Sequence, residues 1–242
     1  MQKLLTLLIL TVMITTIQAQ KQLRLLSYNI RNAKGMDNKV DYDRIAAVLQ
    51  KADAPVIALQ EVDSATKRSA GVDVLSVLAE KTGLHGVYGA AIPLQGGKYG
   101  IGVLSKEKPL QHYTVPLPGK EEARVLLVVE YKRYVVFNTH LSLTEADRLA
   151  SVTIINQQAT AFQKPIYLLG DLNAEPASAV ISQLKQDWTL LSGEALTFPA
   201  PTPDRCIDYI FSRHTKKQKL LSTNVINEPL ASDHRPVLVE VK

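Results

Sequence analysis

Short apolar runs, each closed by a polar residue, recur along this chain and set its expected elements. The first spans 23–30, Leu23-Arg24-Leu25-Leu26-Ser27-Tyr28-Asn29-Ile30, a strand with a polar end. Residues 43–52 have helical spacing: Ile45, Val48 and Leu49 share a face, and Asp41 or Asp43 can cap it. Residues 55–62 predict a buried strand ending in a carboxylate, and 72–82 a helix closed by Gly83. Strands are predicted at 99–105, 124–131 and 134–140, the last two as a hairpin around Lys132-Arg133. A long helix over 144–162, a buried strand at 166–171, a helix over 176–186 and strands at 207–212 and 237–241 complete the pattern. Early strand–helix alternation followed by hairpin-like pairs predicts mixed sheets covered by helices, an α/β sandwich. A plain doubly wound parallel sheet is the alternative, and the hairpin speaks against it.

The 242 residues carry no repeat, low-complexity stretch or Pro/Gly-rich linker, so 20–242 is expected to be one domain. Residues 1–19 differ in kind. Lys3 precedes an almost wholly apolar or threonine stretch from Leu4 to Ile17, and Ile17-Gln18-Ala19 ends on a small residue. This pattern predicts a secretory signal peptide, too short and wrongly flanked for a permanent membrane span. A buried N-terminal helix is the alternative, but the apolar residues show no helical face. The expected location is therefore periplasmic or secreted. The single cysteine, Cys206, allows neither an internal disulfide nor a lipoprotein cleavage site, and fits a small buried hydrophobe. No Cys/His spacing suggests structural zinc.

Basic residues number 28 against 23 acidic; without Lys3 the balance is 27 against 23, net +4. That mild excess suits an anionic substrate. No basic run resembles a nucleic-acid arm, and Lys216-Lys217-Gln218-Lys219 fits a solvated turn. With no extra apolar face calling for a partner, a monomer is expected.

The chemistry sits at the ends of the apolar runs. Glu61 ends a buried strand, where a carboxylate is costly unless it caps a backbone or meets a cation; Asn29 ends the strand before it. Their oxygens are donors that hard divalent cations prefer. In Gly170-Asp171-Leu172-Asn173, Asp171 and Asn173 alternate as on one face of an extended segment. Asp171 could take a proton from water and Asn173 orient it; an Asx turn before the next helix is the other reading. His140 closes its strand as a structural group or a ligand. Asp208, amid Cys206-Ile207 and Tyr209-Ile210-Phe211, needs a partner, and His234 is the natural one. Strand alternation would send the adjacent Asp233 and His234 different ways, leaving Asp233 for a metal.

In this order, Ser27-Tyr28-Asn29-Ile30, Leu59-Gln60-Glu61-Val62, Asn138-Thr139-His140-Leu141, Gly170-Asp171-Leu172-Asn173, Ile207-Asp208-Tyr209-Ile210 and Ser232-Asp233-His234-Arg235-Pro236 resemble the endonuclease/exonuclease/phosphatase superfamily, the DNase I-like fold. Thr66-Lys67-Arg68-Ser69, Gly97-Lys98-Tyr99-Gly100 and Glu122-Ala123-Arg124 look like its exported or lipid-related bacterial branch. The resemblance implies a four-layer α/β/β/α sandwich of two packed mixed sheets around one cleft. It implies Mg²⁺ or Mn²⁺ held mainly by Glu61, with Asn29 and Asp233 close by. Asp171 would activate water, Asn173 would hold phosphate and nucleophile, and His140 and His234 would bind non-bridging oxygens, His234 supported by Asp208. Arg68, Tyr99 and Arg124 would bind substrate.

Three positions depart from relatives that act on DNA or carry a polar loop. Arg31 stands where enzymes cutting abasic DNA often carry Asp, His140 where they tend to carry Tyr, and Ile101 where relatives often have Asn after Tyr-Gly. The expected activity is hydrolysis of a phosphodiester or phosphomonoester, of a small or lipid-linked phosphate. A DNase-like endonuclease with nucleic acid as partner, and a non-catalytic binding module on the same fold, are the alternatives.

Overall fold

The computed structural model describes residues 22–215 and 218–242. The expected signal peptide lies outside the described residues, as do Lys216 and Lys217. The elements in chain order are β1 (Leu23–Asn29), α1 (Tyr42–Ala52), β2 (Val56–Ser64), α2 (Val74–Thr82), β3 (His85–Leu94), β4 (Gly97–Ser105), β5 (Gln111–Leu117), β6 (Arg124–Glu130), β7 (Val135–His140), α3 (Glu145–Ala159), β8 (Ile166–Asp171), α4 (Ala179–Asp187), β9 (Thr189–Leu190), β10 (Asp208–Arg213), β11 (Leu220–Val225) and β12 (Val237–Val241).

The strands form two six-stranded sheets, ordered β11-β12-β1-β2-β4-β3 and β5-β6-β7-β8-β10-β9. Both are mixed: β1 with β2 and β7 with β8 are parallel, and their other pairings are antiparallel. Three apolar clusters separate the layers. One packs α1 and α2 on the first sheet through Ile45, Leu49, Leu75, Leu78, Leu26 and Leu59. One joins the inner sheet faces through Leu25, Ala58, Val103, Leu127, Val136, Leu169 and Ile210. The third packs α3 and α4 on the second sheet through Val152, Ile155, Ile181, Leu184, Leu126 and Phe137. The result is the expected α/β/β/α sandwich, and it excludes the plain doubly wound sheet. The β6–β7 hairpin turns where the Lys132-Arg133 pattern placed it, with Tyr131 N–H donating to the Tyr134 carbonyl.

Helix starts follow their caps. The side chains of Asp41, Asp73 and Ser178 accept from the backbone N–H groups of Arg44, Ser76 and Ile181. Asp41, not Asp43, is therefore the cap of α1. Ser178 caps α4, which begins at Ala179, three residues after Pro176 and later than the sequence pattern placed it. Gly83 closes α2 at φ 69°, a left-handed conformation that suits glycine. Strands β3, β5, β9 and β11 were not anticipated. β5 and β11 lie at sheet edges and expose most of their residues, so they lack the apolar run that marks a buried strand.

Period-two alternation carries the inner-face polar residues to one rim. Leu25 and Asn29 share a face of β1, Val136 and His140 a face of β7, Leu169 and Asp171 a face of β8, and Ile210 and Asp208 a face of β10. Since β10 runs antiparallel to β8, its first residue, Asp208, pairs with the last residue of β8, Asp171. Likewise β12 begins with Val237 opposite Ser27 of β1, so the preceding Asp233 and His234 reach the same rim. Beneath it, Gln60 Nε2 on the first sheet donates to Asn138 Oδ1 on the second (2.8 Å), and Asn138 Nδ2 donates to the carbonyls of Leu59 and Gly102. This buried clamp fixes the spacing of the sheets below the site. Among the described residues, no helix is long and apolar enough to cross a membrane.

Candidate active site

Glu61 reaches the site through a β-bulge. β2 pairs Leu59 with Gly102 and Val62 with Gly100, so Gln60 and Glu61 together oppose Ile101 alone. Glu61 takes φ 57°, a left-handed conformation rare for a bulky side chain. The bulge lets Gln60 and Glu61 both face the inner side. Asn29 Nδ2 then donates to Glu61 Oε1 at 3.1 Å and to Asp171 Oδ2 at 3.0 Å, joining the two sheets. A left-handed turn follows, with φ 47°, 45° and 61° at Arg31, Asn32 and Ala33. Such backbone costs roughly 1–2 kcal/mol per residue. It brings Arg31 N–H onto Asn29 Oδ1 (3.1 Å), which aims the amide nitrogen at the carboxylates.

Asp171 is buried at the centre. Its Oδ1 accepts from Asn173 N–H (2.9 Å), while Oδ2 lies 3.4 Å from His140 Nε2 and 3.6 Å from His234 Nε2. Asn173 is not on an extended face with Asp171: at φ 47° it closes an Asx turn, and its Nδ2 donates to the Leu141 carbonyl (2.9 Å). The Asx-turn reading of this motif therefore holds over the extended one, and the turn leaves the Asp171 carboxylate at the rim.

His234 Nδ1 lies 2.9 Å from Asp208 Oδ2, as the sequence pattern expected, and Thr197 Oγ1 donates to that same oxygen at 2.6 Å. Phe198 packs on the imidazole at 4.7 Å between ring centres. Burial alone would depress the imidazole pKa, but Asp208 and Asp171 outweigh it and raise it to about 10. Asp233 points the other way, to Arg31 Nε at 3.3 Å, so the adjacent residues do separate.

His140 has the opposite environment. Arg124 Nη1 lies 3.2 Å from its Nδ1, and burial, then the Arg124 charge, hold its pKa down to about 4 despite Asp171. Arg124 is itself buried, flanked by Glu122 (3.0 Å) and Glu121 (3.7 Å). Tyr99, Ile101, Arg124 and His140 line a shallow niche beside the site. Arg68 stands at 5.3 Å over the Tyr99 ring, but its guanidinium is bound bidentately to the fully buried Asp63 (2.6 and 2.7 Å). Ile101 sits in the inter-sheet core, and Cys206 is buried with its thiol pushed up to about 11.

Sequence patterns gave no role to Thr197, Ser232 or Asp63. Thr197 lies on an irregular loop with no periodic signal. Ser232 Oγ donates to the Asn29 carbonyl (2.7 Å) and lies 3.3 Å from Asp233; it stood inside a recognised segment, where adjacency to Asp233 was the only available signal.

Two groups of side chains could hold a cation. Asp171, Asp208 and His234 place donor atoms within 4.8 Å of one another, but the Asp208–His234 bond already occupies Nδ1 and one carboxylate oxygen. Glu61 and Asp233 instead offer carboxylate oxygens, the donor type of Mg²⁺ and Mn²⁺. Asn29 turns its amide nitrogen to Glu61 and Asp171 and its oxygen to Arg31 N–H, so it would join them only with its amide reversed. Glu61 is raised by burial and further by Asp233 and Asp171, against the Asn29 hydrogen bond and His234. A desolvated carboxylate beside other carboxylates fits a divalent cation.

Comparison with solved structures returns the same architecture. An endonuclease/exonuclease/phosphatase from Beutenbergia cavernae superposes at TM-score 0.78 with 24% identity, covering 92% of this chain and 72% of that one. A mannosyl-6-phosphatase from Bacteroides thetaiotaomicron gives 0.73 and 18%, covering 91% and 99%. ANGEL2, a 2′,3′-cyclic phosphatase, gives 0.69 and 17%, covering 91% and 95%. No curated protein matches by sequence. The model of the endonuclease/exonuclease/phosphatase family matches residues 26–234, from before Asn29 through His234, and the chain belongs to that family of phosphoric ester hydrolases.

Proposed function

We propose that the protein is an exported, Mg²⁺- or Mn²⁺-dependent phosphoesterase acting on a small or lipid-linked phosphate ester. The observation that carries this is the unbroken polar chain Asp208–His234–Asp171–Asn29–Glu61 across the two sheets. Glu61 and Asp233 would hold the cation, joined by Asn29 once its amide turns its oxygen toward them, and the cation would supply charge to offset the anionic ester and its developing negative charge. Asp171 accepts a proton from water. His234, protonated and fixed by Asp208, donates through Nε2 to a phosphoryl oxygen. His140 donates as a neutral group from the opposite side, and Asn173 orients water or phosphate with the rest of its amide.

The mannosyl-6-phosphatase among the fold neighbours supports a small phosphate ester. Among the described residues, Arg31, Arg68 and Arg124 are each tied to carboxylates, to Asp233, Asp63 and the Glu121–Glu122 pair. This favours a small ester over a polymer, since tracking a phosphate backbone calls for free positive charge along a groove. Export rests on the 1–19 segment.

The test is hydrolysis of p-nitrophenyl phosphate, bis-p-nitrophenyl phosphate and plasmid DNA by residues 20–242, with Mg²⁺ and with EDTA. Metal-dependent turnover of a small ester, lost by about 10²–10⁴-fold in Asp171→Ala, is expected. Efficient DNA cleavage with steep salt dependence would replace this proposal with a nuclease, and metal binding without turnover would replace it with a binding module.

A further inference from the structure

The two histidines that face Asp171 are held in opposite ways. His234 has a carboxylate on Nδ1, and His140 has a guanidinium there. A guanidinium carries donors only, so the 3.2 Å contact from Arg124 Nη1 requires a bare lone pair on His140 Nδ1. The single ring proton must then sit on Nε2, which faces Asp171 Oδ2 at 3.4 Å. We propose that Arg124 is a positioning residue that locks His140 as the neutral, Nε2-protonated tautomer, so that this ring can only donate into the site.

This deepens the phosphoesterase proposal and rests on it only for its catalytic consequence. In the other tautomer, a bare Nε2 would oppose the Asp171 carboxylate and could not donate to a phosphoryl oxygen. Arg124 can impose the tautomer because it is buried and its guanidinium offers donors and no acceptor. Glu122 and Glu121 anchor it, and its Nε finds no partner, so the guanidinium is oriented by these carboxylates and His140. The charged and titratable groups facing His140 are Asp171 from β8, Arg124 from β6, Glu121 before β6 and His234 before β12. Arg124 therefore acts through the imidazole, and its burial leaves little of it for direct contact with substrate.

Two-bond ¹H–¹⁵N correlation of the ¹⁵N-labelled imidazoles in EDTA decides the matter without any substrate, with His140 assigned by loss of its signal in His140→Gln. The expected wild-type pattern at pH 7 is a protonated Nε2 and bare Nδ1 for His140. Arg124→Lys, another donor-only cation, should retain that pattern. Arg124→Met should lose the fixed tautomer and raise the His140 pKa by about one unit or more. If the wild type is active, Arg124→Met should lower kcat at neutral pH with KM little changed. The deficit relative to wild type should shrink at acid pH, where the imidazolium again donates from Nε2, and Arg124→Lys should restore kcat. A wild-type His140 protonated on Nδ1, or an Arg124→Met spectrum identical to wild type, overturns the proposal even if turnover is robust. The expected spectra in a protein without turnover would sustain the tautomer lock and overturn the phosphoesterase reading instead. Should Arg124→Met not fold, the wild-type and Arg124→Lys spectra still decide.

Discussion

Asp208 and Asp171 stand directly opposite each other across the β8–β10 ladder, both buried, with His234 between them. Their nearest donor atoms lie within 4.8 Å, where two negative charges repel by roughly 3 kcal/mol at an effective dielectric near 20. Like charges at opposed positions destabilise a sheet, so the imidazolium is what makes this register tolerable. His234→Ala should lower unfolding stability in EDTA by about 3–5 kcal/mol, because it strands buried charge. Adding Asp208→Asn in that background should recover most of the loss. Urea unfolding of the single and double variants checks this, and equal midpoints for wild type and His234→Ala would remove the bridging role.

The two histidines should also give stability opposite pH slopes in the metal-free protein. His234 is raised to about 10, so its contribution is complete below the unfolded value near 6.5 and is lost as pH climbs toward 10. His140 is lowered to about 4, so the folded state favours its neutral form; that contribution is complete above 6.5 and shrinks as pH falls toward 4. Thermal unfolding of wild type, His234→Gln and His140→Gln from pH 4 to 10 tests both. The gap from wild type to His234→Gln should close on the alkaline side. The gap to His140→Gln should close on the acid side. Parallel curves would show that neither ring carries the assigned charge.

The layer order and the rim were legible because they rest on one rule. Leu25, Val136, Leu169 and Ile210 alternate with helix-facing residues, so the polar residue ending each run, or opening it in Asp208, falls on the inner face. The Asp208–His234 pair followed from the cost of a lone buried carboxylate. Illegible were features decided across strands. The bulge at Gln60–Glu61 depends on pairing with β4, and the donor on His140 comes from Arg124 on a neighbouring strand. Edge strands such as β11, exposed nearly throughout, left no periodic trace.

Asp63 shows how far structure outside the rim is committed to charge. Its carboxylate is fully buried and accepts from Thr66 Oγ1 and from two nitrogens of Arg68. Arg68→Ala should therefore cost about 3 kcal/mol, the low end for a broken buried pair, because the guanidinium side is open to water. Asp63→Asn in the Arg68→Ala background should restore much of it. A purely substrate-binding Arg68 predicts a KM effect with unchanged unfolding, so chemical denaturation of the two variants separates the roles.

Glu61 should be a liability without a cation and an asset with one. Burial raises its pKa first, the carboxylates of Asp233 and Asp171 raise it further, and the Asn29 amide offsets this only in part. Glu61→Gln removes the charge while keeping shape and an acceptor for Asn29. In EDTA this variant should therefore unfold at a higher temperature than wild type. Adding Mg²⁺ or Mn²⁺ should reverse the order, since a ligand at 100 times its Kd stabilises the folded form by about 2.7 kcal/mol. Wild type should gain that increment and Glu61→Gln almost none, which a thermal-shift titration reads directly. An equal metal-induced shift in both proteins would place the cation away from Glu61, with the Asp171, Asp208 and His234 cluster next in line.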